Sequence, residues 1–228
     1  MSEREWLDAA SIYELLKWSE PFDERRLRLF AVACYRRIWQ WIPDQDSREF
    51  VDQCELLALA EIEEAEVGVA FSTAPDSGVR TRRALAVAPA IRSALDPKHS
   101  RHSWRDVAYG SSEYCAHVVV RHTALLEGGV YANERRAQAD LVREIFGNPF
   151  RPVVLESGWL TTMDGTVPRI AEHIDRTRRF EELPILADAL EEAGCNNLDL
   201  LTHLRGPGPH VRGCWALELL LARNASSS

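Results

Sequence analysis

The chain has 228 residues, 46% of them hydrophobic and 27% charged, a balance that supports a packed core and excludes an intrinsically disordered chain. No apolar run approaches the roughly 18 residues of a membrane span, and the polar, acidic start at Met1–Trp6 lacks the apolar stretch of a secretory signal, so a cytoplasmic protein without a membrane partner is expected. The net charge is -8, and its excess is confined to the first 75 residues, where 16 Asp and Glu face 8 Lys and Arg; this acidic third argues against a polyanion-binding chain.

In chain order, the dominant pattern is apolar recurrence every three or four residues, which predicts an all-α fold built from several crossing or antiparallel helices. Asp23 is placed to cap a helix whose stripe runs through Leu27, Phe30, Ala31, Cys34, Ile38 and Trp41 until Pro43. Asp46 and Glu49 resemble a capping box for the next helix, with Phe50, Cys54, Leu57, Ala58 and Ala65 on its apolar face and a solvated acidic run at Glu61–Glu66. Residues 68–79 are rich in breakers and divide the chain into an acidic helical subdomain over 1–70 and a second over 80–228, unless the two form one continuous domain. Beyond this point, a helix kinked at Pro89 spans about 80–95, followed by a break over 96–102. Ser103 caps a helix reaching about Glu127, and Asn133 caps another from Glu134 to Phe146, closed by Gly147.

The segment 148–165 changes character, its prolines predicting an extended connector with room for one short strand. Helices follow at about 167–177 and 184–193, each with a proline in its first turn; Gly194 ends the second. Asn197 opens a short helix to about Leu204. The run Gly206–Pro209 forces a reversal, and a last helix is expected from His210 to Ala222.

Three passages carry a resemblance: EIFGNPFRPV at 144–153, LPILADALEEAGC at 183–195 and RGPGPHVRGCW at 205–215, with Glu5–Leu7 and Leu27–Cys34 adding to it. They look like a family of uncharacterised planctomycete-type bacterial proteins. The resemblance covers both ends of the chain and implies no activity, cofactor or catalytic residue. The family pattern also has a Cys after the histidine of the Thr-His-Leu-Arg segment, where this chain has Leu204, a departure that counts against a metal site there.

Five cysteines, odd in number and without a Cys-x-x-Cys pair, fit reduced thiols rather than a disulfide framework. The strongest chemical constellation is Cys195, His203, His210 and Cys214. On the expected last helix His210 and Cys214 share a face, and the preceding turn brings His203 and Cys195 within reach of a common zinc ion. A packing role for all four is the competing reading. Cys115, His117 and His122 do not form a nucleophile and base on one helix, because 115 and 117 point to opposite faces and 122 lies two turns away. Phosphate loops, dinucleotide fingerprints, zinc-protease and serine-hydrolase motifs are all absent.

Three functional readings result. The leading one is a non-catalytic helical module that contacts another protein, with seven tryptophans and 25 arginines available for such a surface. The first alternative is a zinc-binding protein or metal-dependent enzyme centred on His210 and Cys214. The second is a nucleic-acid binder using 198–222 as a helix-turn-helix, disfavoured by the prolines in its turn and by having only Arg212 to read bases.

Overall fold

The computed structural model describes residues 1–18, 23–42, 45–59, 104–123 and 129–221. The fold is all-α, with eleven α-helices and no strand among the described residues. The acidic run 61–66, the breakers at 68–79, the helix expected over 80–95, the break at 96–102, and the Pro43 and Ser103 signals lie outside those residues. The chain divides into two compact units, Met1–Val142 and Arg143–Ser228.

In the first unit, α1 (Glu3–Asp8) is held at its start by a reciprocal capping box: Ser2 N–H donates to Glu5 Oε2 at 2.6 Å, and Glu5 N–H donates to Ser2 Oγ at 3.3 Å. This fixes the entry of Trp6, whose side chain is fully buried. Helix α2 (Ile12–Trp18) buries Ile12, Leu15 and Leu16. Asp23 caps α3 (Glu24–Arg37) as expected, its carboxylate accepting from the backbone N–H groups of Arg25 and Arg26.

Helix α3 buries more than its expected stripe. Leu29, Val32, Ala33 and Tyr35 join Leu27, Phe30, Ala31 and Cys34, because α4 (Gln45–Ala58) and α5 (Trp104–Thr123) pack on different sides of it. A helix covered from two directions needs apolar residues around most of its circumference, and Leu29–Ala33 supplies them without a break. The charged residues at its end are tied down: Arg36 reaches Asp52 and Glu55 on α4, and Arg37 makes a two-pronged contact with Glu134 on α6 (Val130–Phe146) at 2.9 and 2.7 Å.

Two caps differ from expectation. Helix α4 begins at Gln45, so Asp46 lies inside its first turn, where a carboxylate favours the helix dipole instead of capping it. Helix α6 begins at Val130, and Asn133 is already within it, its N–H bonded to Gly129 O at 2.8 Å.

In the second unit, the expected connector is only partly irregular. Residues 152–156 lack regular structure, but Ser157–Thr161 forms α7 and Thr162–Gly165 a 3-10 turn, with no strand. Burial of Trp159, 3% exposed, drives this coiling by pulling the segment onto the core. Helices α8 (Thr166–Thr177) and α9 (Leu183–Glu192) start with prolines in their first turns, as read from the sequence. Cys195 N–H then closes the end of α9 on Leu190 O at 2.9 Å. Asn197 caps α10 (Leu198–Arg205) by accepting from Leu200 N–H at 2.9 Å. These helices and α11 (Trp215–Leu220) share one core that includes Ile174, Leu186, Leu190, Leu200, Leu204 and Leu217.

Candidate metal centre

The last helix does not start at His210. Residues 207–214 are non-helical and α11 begins only at Trp215, with Cys214 at its N-cap position. Gly213 explains this: its φ of +89° is left-handed, a conformation that a continuing right-handed helix cannot include. His210 and Cys214 therefore approach one another through a loop that folds back, not through the i, i+4 spacing of a helix.

Four donor side chains converge there. Glu144 comes from the last turn of α6, His203 from the last turn of α10, His210 from the loop, and Cys214 from the start of α11. One ligand atom from each lies within 4.8 Å of all the others. His203 Nε2 is 3.2 Å from Cys214 Sγ and 3.4 Å from Glu144 Oε2, and His210 Nδ1 is 3.2 Å from Glu144 Oε1. Cys214 is fully buried and the Glu144 side chain is 3% exposed.

Cys195 is not among the four. It sits in the core at 4% exposure, where its role is packing and its thiol is pushed up by burial. Glu144 takes the fourth place, a residue that the sequence offers no reason to choose. It stands 59 positions before His203 and outside any ligand spacing; the available signal is a carboxylate in the last helical turn before a glycine.

That position is electrostatically unfavourable for a carboxylate. The C-terminal end of a helix carries partial negative charge, and here the group is also stripped of water, so it requires a positive partner. Histidine supplies part of that need. Burial pulls His210 down, but the hydrogen bond and charge of Glu144, with the Gly206 carbonyl, outweigh it and leave the imidazole above its ordinary range. Burial holds His203 below its ordinary range despite Glu144. Cys214 is pushed well above the usual thiol range by burial first and by the Glu144 charge second.

The ring nitrogens decide what this arrangement can do. His210 Nε2 lies 3.1 Å from Gly206 O, and a carbonyl only accepts, so Nε2 carries the proton and Nδ1 is the atom turned toward Glu144. Neutral His210 would thus set a lone pair against a carboxylate oxygen. Either a second proton or a cation between the two relieves that repulsion. A backbone carbonyl that orients the distal N–H is also the usual support of a metal-bound histidine.

A nucleophilic triad fits less well. Such a triad uses one imidazole nitrogen for the thiol and the other for the carboxylate, whereas His203 presents the same Nε2 to both Cys214 and Glu144. Cys115 offers no alternative: it is fully buried, its thiol pushed well up by burial, while His117 is exposed with its ring 5.7 Å from that of Tyr131. The helix-turn-helix reading loses its recognition helix, since α11 spans six residues and Arg212 precedes it at 8% exposure.

Trp215 packs against the centre, its ring centroid 4.9 Å from that of His203. Gly147 lies on the other contact of this indole: its φ is +73°, and a Cβ there would stand 3.2 Å from Trp215 Cγ. Gly147→Ala is expected to cost about 1–2 kcal/mol through left-handed strain and crowding together. A urea titration followed by tryptophan emission checks this, and an unchanged midpoint would show that neither the strain nor the crowding is felt at this position.

Compared with models of protein families, with curated proteins and with solved structures, the chain matches none.

Proposed function

We propose that the C-terminal unit binds one divalent transition-metal ion, zinc by its donor chemistry, as a structural staple, and that the protein works by contact with another protein and not by catalysis. The carrying observation is the facing of His210 Nδ1 and Glu144 Oε1 at 3.2 Å while Nε2 is committed to Gly206 O. Zinc bonds of about 2.0–2.3 Å around a tetrahedron set neighbouring donors about 3.3–3.8 Å apart; His203 Nε2 and Cys214 Sγ are 3.2 Å apart, Glu144 meets His210 through Oε1 at 3.2 Å and His203 through Oε2 at 3.4 Å, and one donor atom from each of the four lies within 4.8 Å of the rest. One thiolate, one carboxylate and a divalent cation sum to no net charge, which makes burial of the assembly cheap.

Thiolate with imidazole selects zinc over the hard cations calcium and magnesium. Four protein donors complete a tetrahedral shell, as structural sites do, whereas a catalytic zinc keeps one position for water or substrate. Five free cysteines support a cytoplasmic location, and no described helix is long and apolar enough to cross a membrane. A contact role is supported by apolar side chains left on the surface of this unit, Val154 and Leu198 at 76% exposure each.

Elemental analysis of the untagged, full-length protein after zinc loading and desalting tests the metal. One zinc per chain is expected, falling to about a tenth or less in His210→Ala and Cys214→Ser and retained in Cys195→Ser. A wild-type protein without stoichiometric metal would reduce the centre to a buried Glu144–His210 ion pair and end the proposal.

A further inference from the structure

A second feature of the C-terminal unit lies apart from the metal centre: a pocket of about 330 Å³ between α8 and the start of α9, lined by Thr166, Arg169, Ile170, His173, Glu182 and Ile185. Its floor is aliphatic and its rim is charged. Ile185 is 56% exposed and His173 45%, so the pocket opens broadly to solvent. A small molecule needs most of its surface enclosed, and this shape gives it too little; one protruding side chain of a larger partner is the better fit.

The charge around the pocket specifies the partner. Glu182 is engaged by Arg179 at 2.7 Å and faces His173 at 3.5 Å, so its charge is met from within. Arg169 donates only to the neutral Thr166 hydroxyl, at 3.2 Å. Arg176, seven positions on, shares the helix face of Arg169 and His173. Among the described residues, no carboxylate stands within ion-pair distance of Arg169 or Arg176, the exposed Glu172 on the same helix included. Arg169, without an ion-pair partner among the described residues, thus borders the aliphatic hollow, and Arg176 stands about two turns further along the same helix.

We infer that this surface receives an acidic peptide segment of a partner protein, with one large apolar side chain seated on Ile170 and Ile185 and flanking carboxylates on Arg169 and Arg176. Arginine suits that task because its planar fork pairs with carboxylates in two-pronged fashion. The assignment is independent of the metal, since none of these residues touches the Glu144 cluster.

Fluorescence anisotropy with the full-length protein tests it, using fluorescein-labelled EELLEFLEEE as the probe. Saturable binding is expected, weakened about tenfold or more by the double variant Arg169→Glu/Arg176→Glu and by Ile185→Asp, each with an unchanged circular dichroism spectrum. Both sites are on the surface, so neither variant opens a cavity. The control peptides KKLLKFLKKK and EESSESSEEE are expected to bind at least tenfold more weakly, one lacking the charge and the other the anchor. Equal binding of either control, indifference to the variants, or a probe affinity weaker than about 1 mM would overturn the inference. Competition by free glutamate at the probe's own affinity would overturn it too, in favour of a small-molecule pocket.

Discussion

Stripping zinc from the loaded protein with a strong chelator is expected to lower the melting temperature of the C-terminal unit by roughly 15–30 °C. A ligand held at a thousand times its dissociation constant stabilises the state that binds it by about 4 kcal/mol. In a domain of 60–100 residues each kcal/mol moves the midpoint by about 4–8 °C, which gives the stated range. The segment between α10 and α11 is where the loss would start. It carries two of the four donors but no helix, and its backbone hydrogen bonds are few, Gly206 N–H to His203 O and Cys214 N–H to Val211 O among them. Without a shared ion, Glu144, Cys214, His203 and His210 must offset their desolvation through their mutual contacts and the few backbone groups they reach, the Gly206 carbonyl among them. Trp215, packed on His203, reports the transition through its emission. His210→Ala and Cys214→Ser should melt near the chelated wild-type temperature and ignore chelator, whereas Cys195→Ser should still respond. Coincident melts of the zinc-loaded and chelated wild-type protein would remove the staple from consideration.

The contrast between Cys195 and Glu144 shows where sequence reasoning works on this chain and where it stops. Apolar recurrence identifies α3, α4, α8, α9 and α10, because a buried face is a local property written every three or four residues. Caps with one short-range bond, Asp23 and Asn197, are equally readable. Three members of the centre were within reach because Cys and His draw the eye wherever they fall. The path by which they meet was not: Gly213 converts an expected helical turn into a loop, and nothing in the spacing of His210 and Cys214 announces that. Glu144 is less visible still, since Glu is ordinarily a surface residue and its burial follows from the packing of helices distant in sequence. Cys195 was attractive as a ligand on residue type alone. The end of α9 turns it into the core, at 4% exposure.

The same limitation hides the ion pair that joins α3 to α6, and Glu134→Ala is expected to destabilise the N-terminal unit by about 3 kcal/mol. Glu134 is 4% exposed and accepts from Arg37 at 2.9 and 2.7 Å and from Gln138 Nε2 at 3.0 Å, so its removal deprives three buried or half-buried donors at once. The full penalty for an orphaned buried charge runs to about 3–5 kcal/mol. The Arg37 side chain is 34% exposed and regains some hydration when its partner goes, which places the expected value at the lower end. Removing the pair as a unit is a different matter. Arg37→Met with Glu134→Leu replaces two desolvated charges by apolar volume in a setting that already includes Cys34 and Cys115, both fully buried. The double variant should therefore recover about half or more of the single loss, a coupling of at least about 1.5 kcal/mol. Urea denaturation of the full-length protein, of Arg37→Met, of Glu134→Leu and of the double variant measures it. Strict additivity would mean that Arg37 and Glu134 do not depend on one another.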